Sequence, residues 1–385
     1  MFKLINENKL SNARTGILKT AHGKIETPFF MPVATRSSGK FIGIDDYNEM
    51  KIEILISNAL INFFKPGLNI FSKINGIHKF MNYKGIVFTD SGGFQMSRSF
   101  FEKTSKRGVW FRNPFNQQKH LITPKKSMEI QYVIGSDVAM VLDYMPPIYS
   151  DYETTKKSLE LTHRWAKEAL ISHEKIKKEK TINSYKNNNN KQLLFAISQG
   201  ALHPELRKYS AEFLSNMNVE GIGFDGIAIG GLAIGEKQKE MLPMIEAAIS
   251  KIPKDKIRYL MGVGNPSDIL EAVERGIDCF DSIYPTRNAR HGTLFTFKGK
   301  IDLMSGKYKE DFTPIEKNCD CLSCKTYSKA YIHHLLKIKE PIGKKYVQIH
   351  NIYFMLKFMK KIRESIKKNE FQKFKSEFLN NWNRK

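Results

Sequence analysis

The chain has 385 residues, 41% of them hydrophobic, which is enough to bury a large core in one big barrel or in two to three smaller domains. Its formal net charge of +23 favours a polyanionic partner, although charge informs on partners and not on fold. The first ten residues hold no apolar signal core, and no apolar stretch approaches the roughly 18 residues of a membrane span. We therefore expect a soluble, cytoplasmic protein rather than a secreted or membrane-spanning one.

Eight short apolar runs follow a predicted N-terminal hairpin at 16–28, and helical patterns separate most of them. The runs are 29–33, 53–57, 85–89, 138–142, 193–198, 225–230, 258–263 and 277–283. Helices are predicted at 125–135, 154–171, 204–217, 236–250 and 266–276. Continuous apolar runs of this length indicate strands buried on both faces, as in parallel sheets. The alternation predicts a (β/α)8 barrel of about 250 residues plus insertions, with a doubly wound sheet as the alternative.

A Lys/Asn-rich run lies between the helix predicted at 154–171 and the fifth apolar run. It reads SHEKIKKEKTINSYKNNNNK at 172–191 and holds part of the positive charge. Its low complexity predicts a solvated loop insertion rather than a binding surface.

Polar and glycine residues follow the predicted strands at corresponding positions. They are Asn58, Asp90, Asp143, Gln199, Gly230, Gly231, Gly262, Gly264 and, within the last run, Asp281. A lone Asp after a strand is more often a helix cap or turn residue, but in a barrel these positions gather at one mouth. Carboxylates there can supply a nucleophile and an acid or base, while glycines allow a substrate to approach the backbone. The pattern favours a glycoside-type reaction, in which one carboxylate attacks the anomeric carbon and another moves protons.

Two arginines follow the last predicted strand, in YPTRNARHG at 284–292. Arg287 and Arg290 are suited to phosphate contacts beside a reacting sugar. The alternative interpretation is plain surface charge, which their closeness to Asp281 disfavours.

Three of the four cysteines form a C-x-C-x2-C motif of Cys319, Cys321 and Cys324. Disulfides are disfavoured in a long cytoplasmic chain, whereas closely spaced thiolates suit tetrahedral zinc with about four ligands. Spacing alone leaves four candidates for the fourth ligand. They are Cys279, His333, His334 and His350.

The chain resembles the tRNA-guanine transglycosylases of bacterial type, also called queuine tRNA-ribosyltransferases, in ordered motifs from about residue 12 to 380. These motifs are TDSGGFQM, SMEIQYVIGSDVAM, FAISQG, IAIGGLAIGE, YLMGVG, CFDSIYPTRNARHG, CDCLSC and IHN. The resemblance implies a TIM barrel in which 1–300 form most of the barrel with the hairpin, 301–352 a zinc subdomain, and 353–385 a C-terminal helix completing the barrel. It also implies a pentosyltransferase of queuosine biosynthesis, which exchanges guanine 34 of tRNAs with GUN anticodons for a 7-deazaguanine base.

The resemblance assigns a role to each matching residue. It implies that Asp281 is the nucleophile that attacks ribose C1′, and that Asp90 accepts a proton from the incoming base. The substrate-binding positions implied are Asp90, Ser91, Gly92, Gly93, Phe94, Asp143, Gln199, Gly230, Gly231, Met261 and, near the ribose, Asn58. Those implied to contact RNA are Gly262, Val263, Gly264, Asn265, Pro266, Ser267, Asp268, Thr286, Arg287, Asn288, Ala289 and Arg290. Cys319, Cys321, Cys324 and His350 would hold one structural zinc per chain, and a homodimer is expected.

Some positions depart from the bacterial pattern, namely Tyr144, Met145, Asn265 and His291. Enzymes of the eukaryotic type have glycine at the position of Ile234, which opens room for the cyclopentenediol of queuine. Because Ile234 and Met145 would fill that space, we expect preQ1 to be preferred over queuine. A non-catalytic RNA-binding subunit is disfavoured by the presence of Asp90 and Asp281, and a DNA-modifying relative by the PTRNAR segment.

Overall fold

The computed structural model describes residues 1–91, 101–179, 181–182, 185–186 and 191–382. The strands are β1 (Phe2–Glu7), β2 (Arg14–Thr20), β3 (Gly23–Thr27), β4 (Phe29–Met31), β5 (Ile54–Asn58), β6 (Ile86–Asp90), β7 (Phe101–Ser105), β8 (Gly108–Arg112), β9 (Lys119–Ile122), β10 (Val138–Met140), β11 (Thr181–Ile182), β12 (Tyr185–Lys186), β13 (Leu193–Ser198), β14 (Gly226–Ile229), β15 (Ile257–Leu260), β16 (Cys279–Asp281), β17 (Thr293–Thr296) and β18 (Gly299–Asp302).

The described helices, in chain order, are α1 (Ile44–Glu49), α2 (Ala59–Phe64), α3 (Leu68–Ile74), α4 (Ile77–Met81), α5 (Pro124–Ile134), α6 (Tyr152–Glu179), α7 (Pro204–Asn216), α8 (Gln238–Ile249), α9 (Pro266–Glu274), α10 (Tyr284–Arg290), α11 (Leu322–Thr326), α12 (Lys329–Lys337), α13 (Pro341–Lys367) and α14 (Phe371–Trp382). None of them is both long and apolar enough to cross a lipid bilayer.

Eight parallel strands form the central sheet, in the order β4, β16, β15, β14, β13, β10, β6 and β5. The two edges meet just after β4, where Val33 bridges Ile56 in parallel and the Ala34 N–H donates to the Ile56 carbonyl over 2.7 Å. Each of the eight apolar runs in the sequence overlaps one of these strands. The predicted (β/α)8 barrel is therefore confirmed, and the doubly wound alternative is wrong.

Aromatic side chains fill the barrel interior. Phe88 packs edge to face against Phe195, Tyr259 and Phe29, with ring centroids 5.6, 6.3 and 6.3 Å apart. All four rings are buried. Rings in this arrangement block the lumen, so a substrate can enter only from one end of the barrel.

A three-stranded antiparallel sheet of β1, β2 and β3 packs at the N-terminal end of the barrel strands. The predicted hairpin accounts for β2 and β3, whereas β1 lies before it. Arg14 of β2 is buried and donates to both carboxylate oxygens of Asp278, which immediately precedes β16. It also donates to the carbonyls of Lys254 and Lys256, so this one side chain joins the small sheet to the barrel.

The Lys/Asn-rich run differs from the loop predicted for it. Helix α6 continues to Glu179, and within the run His173 and Ile176 are buried. Because these two side chains are three residues apart, they lie on one helix face and hold that part of the run against the core. Positions 180, 183–184 and 187–190 lie outside the described residues.

The chain after β16 forms α10, the β17–β18 hairpin and a second buried cluster that includes Leu294, Leu303, Ile332 and Val347. Helix α13 packs against this cluster with its first half, and against β2 of the N-terminal sheet and β4 of the barrel with its second half. Arg363 of this helix donates to the Pro28 carbonyl over 2.7 Å. The domain boundaries at 300 and 352 stay predictions, and α13 runs across the second.

Candidate active site

A cavity of about 560 Å³ opens at the carboxyl ends of the barrel strands. Residues that follow different strands gather in its wall, as the sequence predicted for a barrel mouth. Of the predicted site residues, the wall contains Asp90, Ser91, Asp143, Gly230, Gly231, Met261, Gly262 and Asp281. The cavity therefore brings three carboxylates and three glycines to one place.

Asp281 ends β16 with its carboxylate in the cavity wall. One oxygen, Oδ1, accepts hydrogen bonds from the Tyr259 hydroxyl over 2.6 Å and from the Gly262 N–H over 2.9 Å. Burial raises the pKa of Asp281, and these two donors oppose that rise because they stabilise the ionised form. The two donors also hold the carboxylate in one orientation at the cavity wall.

Asp143 follows β10 and is a half-buried carboxylate of the cavity wall. Gln199, which follows β13, donates from Nε2 to Asp143 Oδ2 over 2.6 Å. Burial raises the pKa of Asp143 to about 6, although the Gln199 bond opposes the shift. Gln199 Oε1 is buried and has no hydrogen-bond partner among the described residues. This pair can therefore offer acceptors on both side chains to a planar ligand with several N–H groups.

Asp90 ends β6 and pairs with Asn58, which ends the neighbouring β5. Asn58 is buried, and its Oδ1 accepts from the Ile61 N–H over 2.8 Å as the N-cap of α2. Asn58 thus lies beside Asp90 without being part of the cavity wall. The predicted positions Gly92, Gly93 and Phe94 lie outside the described residues.

Gly230 and Gly231 follow β14 and leave no space for a side chain. A Cβ at Gly230 would lie 2.6 Å from Gln199 Nε2, and one at Gly231 would lie 2.4 Å from Gln199 Oε1. Gly231 also has a φ of +65°, which favours glycine. The cavity wall here is therefore bare backbone, with its amide groups within reach of a ligand.

Four candidate metal ligands lie together in the second cluster. The Sγ atoms of Cys319, Cys321 and Cys324 are 3.8, 3.7 and 3.3 Å from His350 Nδ1. A tetrahedral zinc with ordinary bond lengths requires S···N separations of about 3.6 Å, so the donor set fits that ion. The other ring nitrogen of His350 donates to the Phe295 carbonyl over 2.8 Å, which turns Nδ1 toward the sulfurs.

The other three candidates for the fourth ligand lie elsewhere. Cys279 is buried in β16, His333 Nδ1 contacts the Leu303 carbonyl at 2.7 Å, and His334 is exposed on α12. The structure thus selects His350, which the sequence spacing alone left open.

A second histidine and carboxylate group lies at the opposite end of the barrel. His22 Nδ1 and His78 Nε2 are each 3.0 Å from a different oxygen of Asp137. The two rings are stacked with centroids 3.5 Å apart and 14° between their planes. A metal ion bound by a histidine lies near the plane of its ring, and two stacked, nearly parallel ring planes do not both pass through one ion beside them, so this group is a hydrogen-bonded cluster.

Comparison with known sequences decides the family. A family model described as queuine tRNA-ribosyltransferase matches residues 9–384. A queuine tRNA-ribosyltransferase of Thermoanaerobacter sp. is 42% identical over 98% of this chain and 96% of its own length. Relatives with the same name from Fusobacterium nucleatum and Staphylococcus aureus are 42% and 41% identical, over 97% and 98% of this chain and 96% and 95% of their own lengths. The chain belongs to the queuine tRNA-ribosyltransferase family.

Within this family member, the positions predicted to contact RNA lie on two segments beside the cavity. Asn265 Nδ2 donates to Ser267 Oγ and Asp268 Oδ2, which shapes the turn into α9. On α10, Arg287 is exposed, while the half-buried Arg290 donates to Gln348 Oε1 of α13 over 2.9 Å. A Cβ at Gly264 would lie 2.5 Å from Ser282 Cβ, so the two segments pack closely.

The departures from the bacterial pattern lie in different places. Tyr144, Met145 and Ile234 all form part of the cavity wall, so they bear on the ligand that this family member accepts. His291 follows α10 and Asn265 precedes α9, so both lie outside the wall.

Sequence reasoning missed several residues of the site. Val109 and Phe111 of β8 form part of the wall and belong to an antiparallel sheet of β7, β8 and β9 inserted after β6. Tyr259, two positions before Met261, was also missed. The two-residue period of a strand places both side chains on the same face, and this signal was available in the sequence.

Proposed function

We propose that this protein is a tRNA-guanine transglycosylase that exchanges guanine at position 34 of tRNAs with GUN anticodons for a 7-deazaguanine, in queuosine biosynthesis. Its family membership supports tRNA-guanine transglycosylation. The observation that carries the proposal is the Asp281 carboxylate, which is held by Tyr259 and Gly262 in the wall of a cavity that also contains Asp90 and Asp143.

In the proposed reaction, Asp281 attacks C1′ of the ribose at position 34. The C1′–N9 bond breaks, guanine leaves with the electron pair of that bond and takes a proton from solvent, and a covalent ester joins Asp281 to the tRNA. The incoming base then gives its N9 proton to Asp90 and attacks C1′, which releases Asp281. Two displacements restore the β configuration, and dividing the substitution lets both bases use the same pocket in turn.

Base recognition is assigned to the groups around Asp143. The ionised carboxylate and Gln199 Oε1 can accept from the N–H groups of a guanine edge, while the Gly231 N–H can donate to its carbonyl oxygen. Met261, which lines the cavity, is proposed to pack on one face of the base, and Phe94 on the other. Extrusion of the base from an anticodon loop costs little because a loop base is only partly stacked.

For tRNA contacts we propose the segment Gly262–Asp268 and the helix residues Thr286–Arg290. Arg287 and Arg290 supply positive charge beside Asp281, where the phosphates next to the reacting ribose would lie. We also propose that the chain forms a homodimer.

We propose that Cys319, Cys321, Cys324 and His350 hold one zinc ion. Three thiolates and an imidazole make a closed structural site with no position for a substrate, so the ion would stabilise the fold rather than take part in the exchange. Metal content of the purified protein, measured by mass spectrometry, should be one zinc per chain, and none should remain in Cys324→Ser.

The preferred base is proposed to be preQ1. Met145 and Ile234 form part of the cavity wall and would occupy the space that the cyclopentenediol of queuine needs. We expect Ile234→Gly to raise kcat/KM for queuine while preQ1 is still used. Efficient queuine incorporation by the unaltered protein would contradict this preference.

The decisive experiment is exchange of labelled guanine into purified tRNA-Tyr or tRNA-Asp, with Asp281→Asn run beside the unaltered protein. Label at position 34 with the unaltered protein alone, and a covalent tRNA complex absent from Asp281→Asn, is the expected result. If zinc and tRNA are bound but no label enters, the protein is a non-catalytic subunit or acts on another nucleic acid.

A further inference from the structure

Arg207 is a fully buried arginine on α7, behind the backbone of Gly230 and Gly231. It belongs to no predicted site, and it is not part of the cavity wall. Its guanidinium donates to the carbonyls of Gly230 and Ala201 over 2.7 and 2.9 Å. Longer bonds of 3.2 and 3.4 Å run to Gly231 and Ser198.

These contacts join the segments that follow two neighbouring strands. Ser198 and Ala201 lie on either side of Gln199 after β13, and Gly230 and Gly231 follow β14. A Cβ at Gly200 would lie 2.8 Å from the backbone nitrogen of Arg207, so the turn that contains Gln199 packs directly on α7. Arg207 thus forms hydrogen bonds to the backbone of both segments, the one that contains Gln199 and the one that contains the two glycines.

A buried guanidinium is costly unless hydrogen bonds compensate for the lost water. Here backbone carbonyls provide that compensation, and the described residues offer no carboxylate in hydrogen-bond contact with Arg207. If this position served only to fill the core, an apolar side chain of similar size would avoid the desolvation cost of the guanidinium. The unusual bonding indicates that the orientation of these carbonyls matters.

The orientation of one peptide group follows from these bonds. The peptide between Gly230 and Gly231 is trans, and in a trans peptide the C=O and the following N–H point in opposite directions. Because the Gly230 carbonyl points at Arg207, outside the cavity, the Gly231 N–H points away from Arg207 toward the cavity. The positive charge behind the peptide also polarises this N–H and makes it a stronger donor.

We infer that Arg207 is a positioning residue that fixes the Gly231 N–H as a hydrogen-bond donor for a carbonyl oxygen of the bound base. The identity of that base rests on the proposed function, whereas the orientation of the peptide does not. Arg207 acts through Gly230 and Gly231 and touches no reacting atom.

The test uses Arg207→Lys and Arg207→Gln, with Arg258→Lys as the matched control. Arg258 is also buried and donates to backbone carbonyls, those of Ile252 and Gly276, and it lies on β15 toward the opposite end of the barrel. Calorimetric binding of free guanine should weaken about 10-fold in Arg207→Lys and more in Arg207→Gln, since one directed hydrogen bond is lost. KM for guanine should rise by a similar factor, whereas KM for tRNA changes little. Arg258→Lys should lower the melting temperature without altering guanine affinity.

A crystal structure of Arg207→Lys gives a second readout that needs no activity. We expect the Gly230–Gly231 peptide to be rotated or to adopt more than one orientation in this variant. An unchanged peptide together with unchanged guanine binding would overturn the inference, even if the protein exchanges guanine. If the unaltered protein exchanges no guanine but the peptide turns in the variant, the proposed function fails and the positioning role stands.

Discussion

Two half-buried carboxylates in the cavity wall differ in the partners that surround them. Asp143 receives one hydrogen bond from Gln199, and its pKa is raised to about 6. Asp281 receives two bonds on one oxygen, from a hydroxyl and a backbone N–H. Different environments of this kind can give two carboxyl groups separate tasks, and the tasks proposed here are recognition of a base for Asp143 and attack on a sugar for Asp281.

The affinity for free guanine should fall as the pH drops through about 6, since protonated Asp143 can no longer accept two hydrogen bonds. Replacing Gln199 by Met removes a bond that lowers the pKa of Asp143, so the midpoint should move to higher pH. Calorimetric titrations between pH 5 and 8 check this. Gln192 is a buried glutamine that donates to the Ser136 carbonyl away from the cavity. The control Gln192→Met should lower the stability of the fold but leave the pH midpoint of guanine binding unchanged.

The Tyr259 hydroxyl should matter most at low pH. Tyr259→Phe removes a bond that lowers the pKa of Asp281, so the acid limb of the exchange rate should move to higher pH. At its optimum the rate should fall roughly 10- to 100-fold, the range for a hydrogen bond to a charged group. Tyr83→Phe also removes a buried hydroxyl, one that donates to the Ile52 carbonyl outside the cavity. An equal loss in both variants would show that the effect is structural.

The sequence could predict where chemistry gathers but not how each group is held. Asp90 and Asp143 are recognisable because each directly follows an apolar run, and Asp281 because it lies within the last one. The bonds from Tyr259 to Asp281 and from Gln199 to Asp143 join residues 22 and 56 positions apart. Such pairs depend on the stagger of neighbouring strands, which residue pattern alone does not fix.

At the scale of elements, α13 connects the candidate metal site to the candidate RNA surface. His350 contributes to the Cys/His cluster, and Gln348, two positions earlier, accepts the bond from Arg290. Asn351 donates to the carbonyls of Pro285 and Thr293 and accepts from the Phe295 N–H. One helix thus holds a candidate metal ligand and two further residues, Gln348 and Asn351, that contact α10 and β17.

Gln348→Met should release Arg290 while the metal ligands remain. The expected result is a roughly 2- to 10-fold loss of tRNA affinity, the range for one hydrogen bond, because Arg290 is no longer held in one orientation. Filter binding of tRNA and calorimetry with guanine separate the two effects. Guanine affinity and zinc content should not change, and a loss of either would indicate a wider disturbance of α13.

Elements with a clear period were predictable, and those without one were not. All eight barrel strands overlap apolar runs in the sequence, whereas β1 alternates between more and less buried residues and β7, with the sequence FEKTS, is mostly polar. Helix α6 was predicted to end near residue 171 because Lys-rich composition hid the buried positions His173 and Ile176. Composition indicates only the average exposure of a segment. Here the segment packs against the core through two side chains, His173 and Ile176, on one helix face.

At the scale of the whole molecule, the bond network of Arg14 and Asp278 lies at the end of the barrel opposite the cavity. Both side chains are buried, and Asp278 also accepts from the Arg258 N–H over 2.7 Å. The buried ion pair that stabilises the barrel and the cavity that contains the candidate active site therefore lie at opposite ends of the same strands.

Asp278→Asn should destabilise the protein by about 3 to 5 kcal/mol, because it leaves the Arg14 charge buried without its partner. Denaturant unfolding measures this, and the kcat of the remaining folded protein should be close to that of the unaltered protein. Glu26→Gln breaks an ion pair to Lys367 at the surface and should cost about 1 kcal/mol or less. Similar losses of unfolding free energy in the two variants would contradict the proposal that the buried pair of Arg14 and Asp278 stabilises the fold.

The contact between α13 and the first barrel strand also bears on how the protein is made. Arg363 donates to the carbonyl of Pro28, immediately before β4, and Lys367 bonds Glu26 of β3. A ribosome delivers β4 more than three hundred residues before these partners, since Pro28 and Arg363 are 335 positions apart. During most of translation, the β2–β3 hairpin and β4 therefore expose the apolar face that α13 later covers. Chaperones that bind nascent chains should engage this face until the last helices emerge.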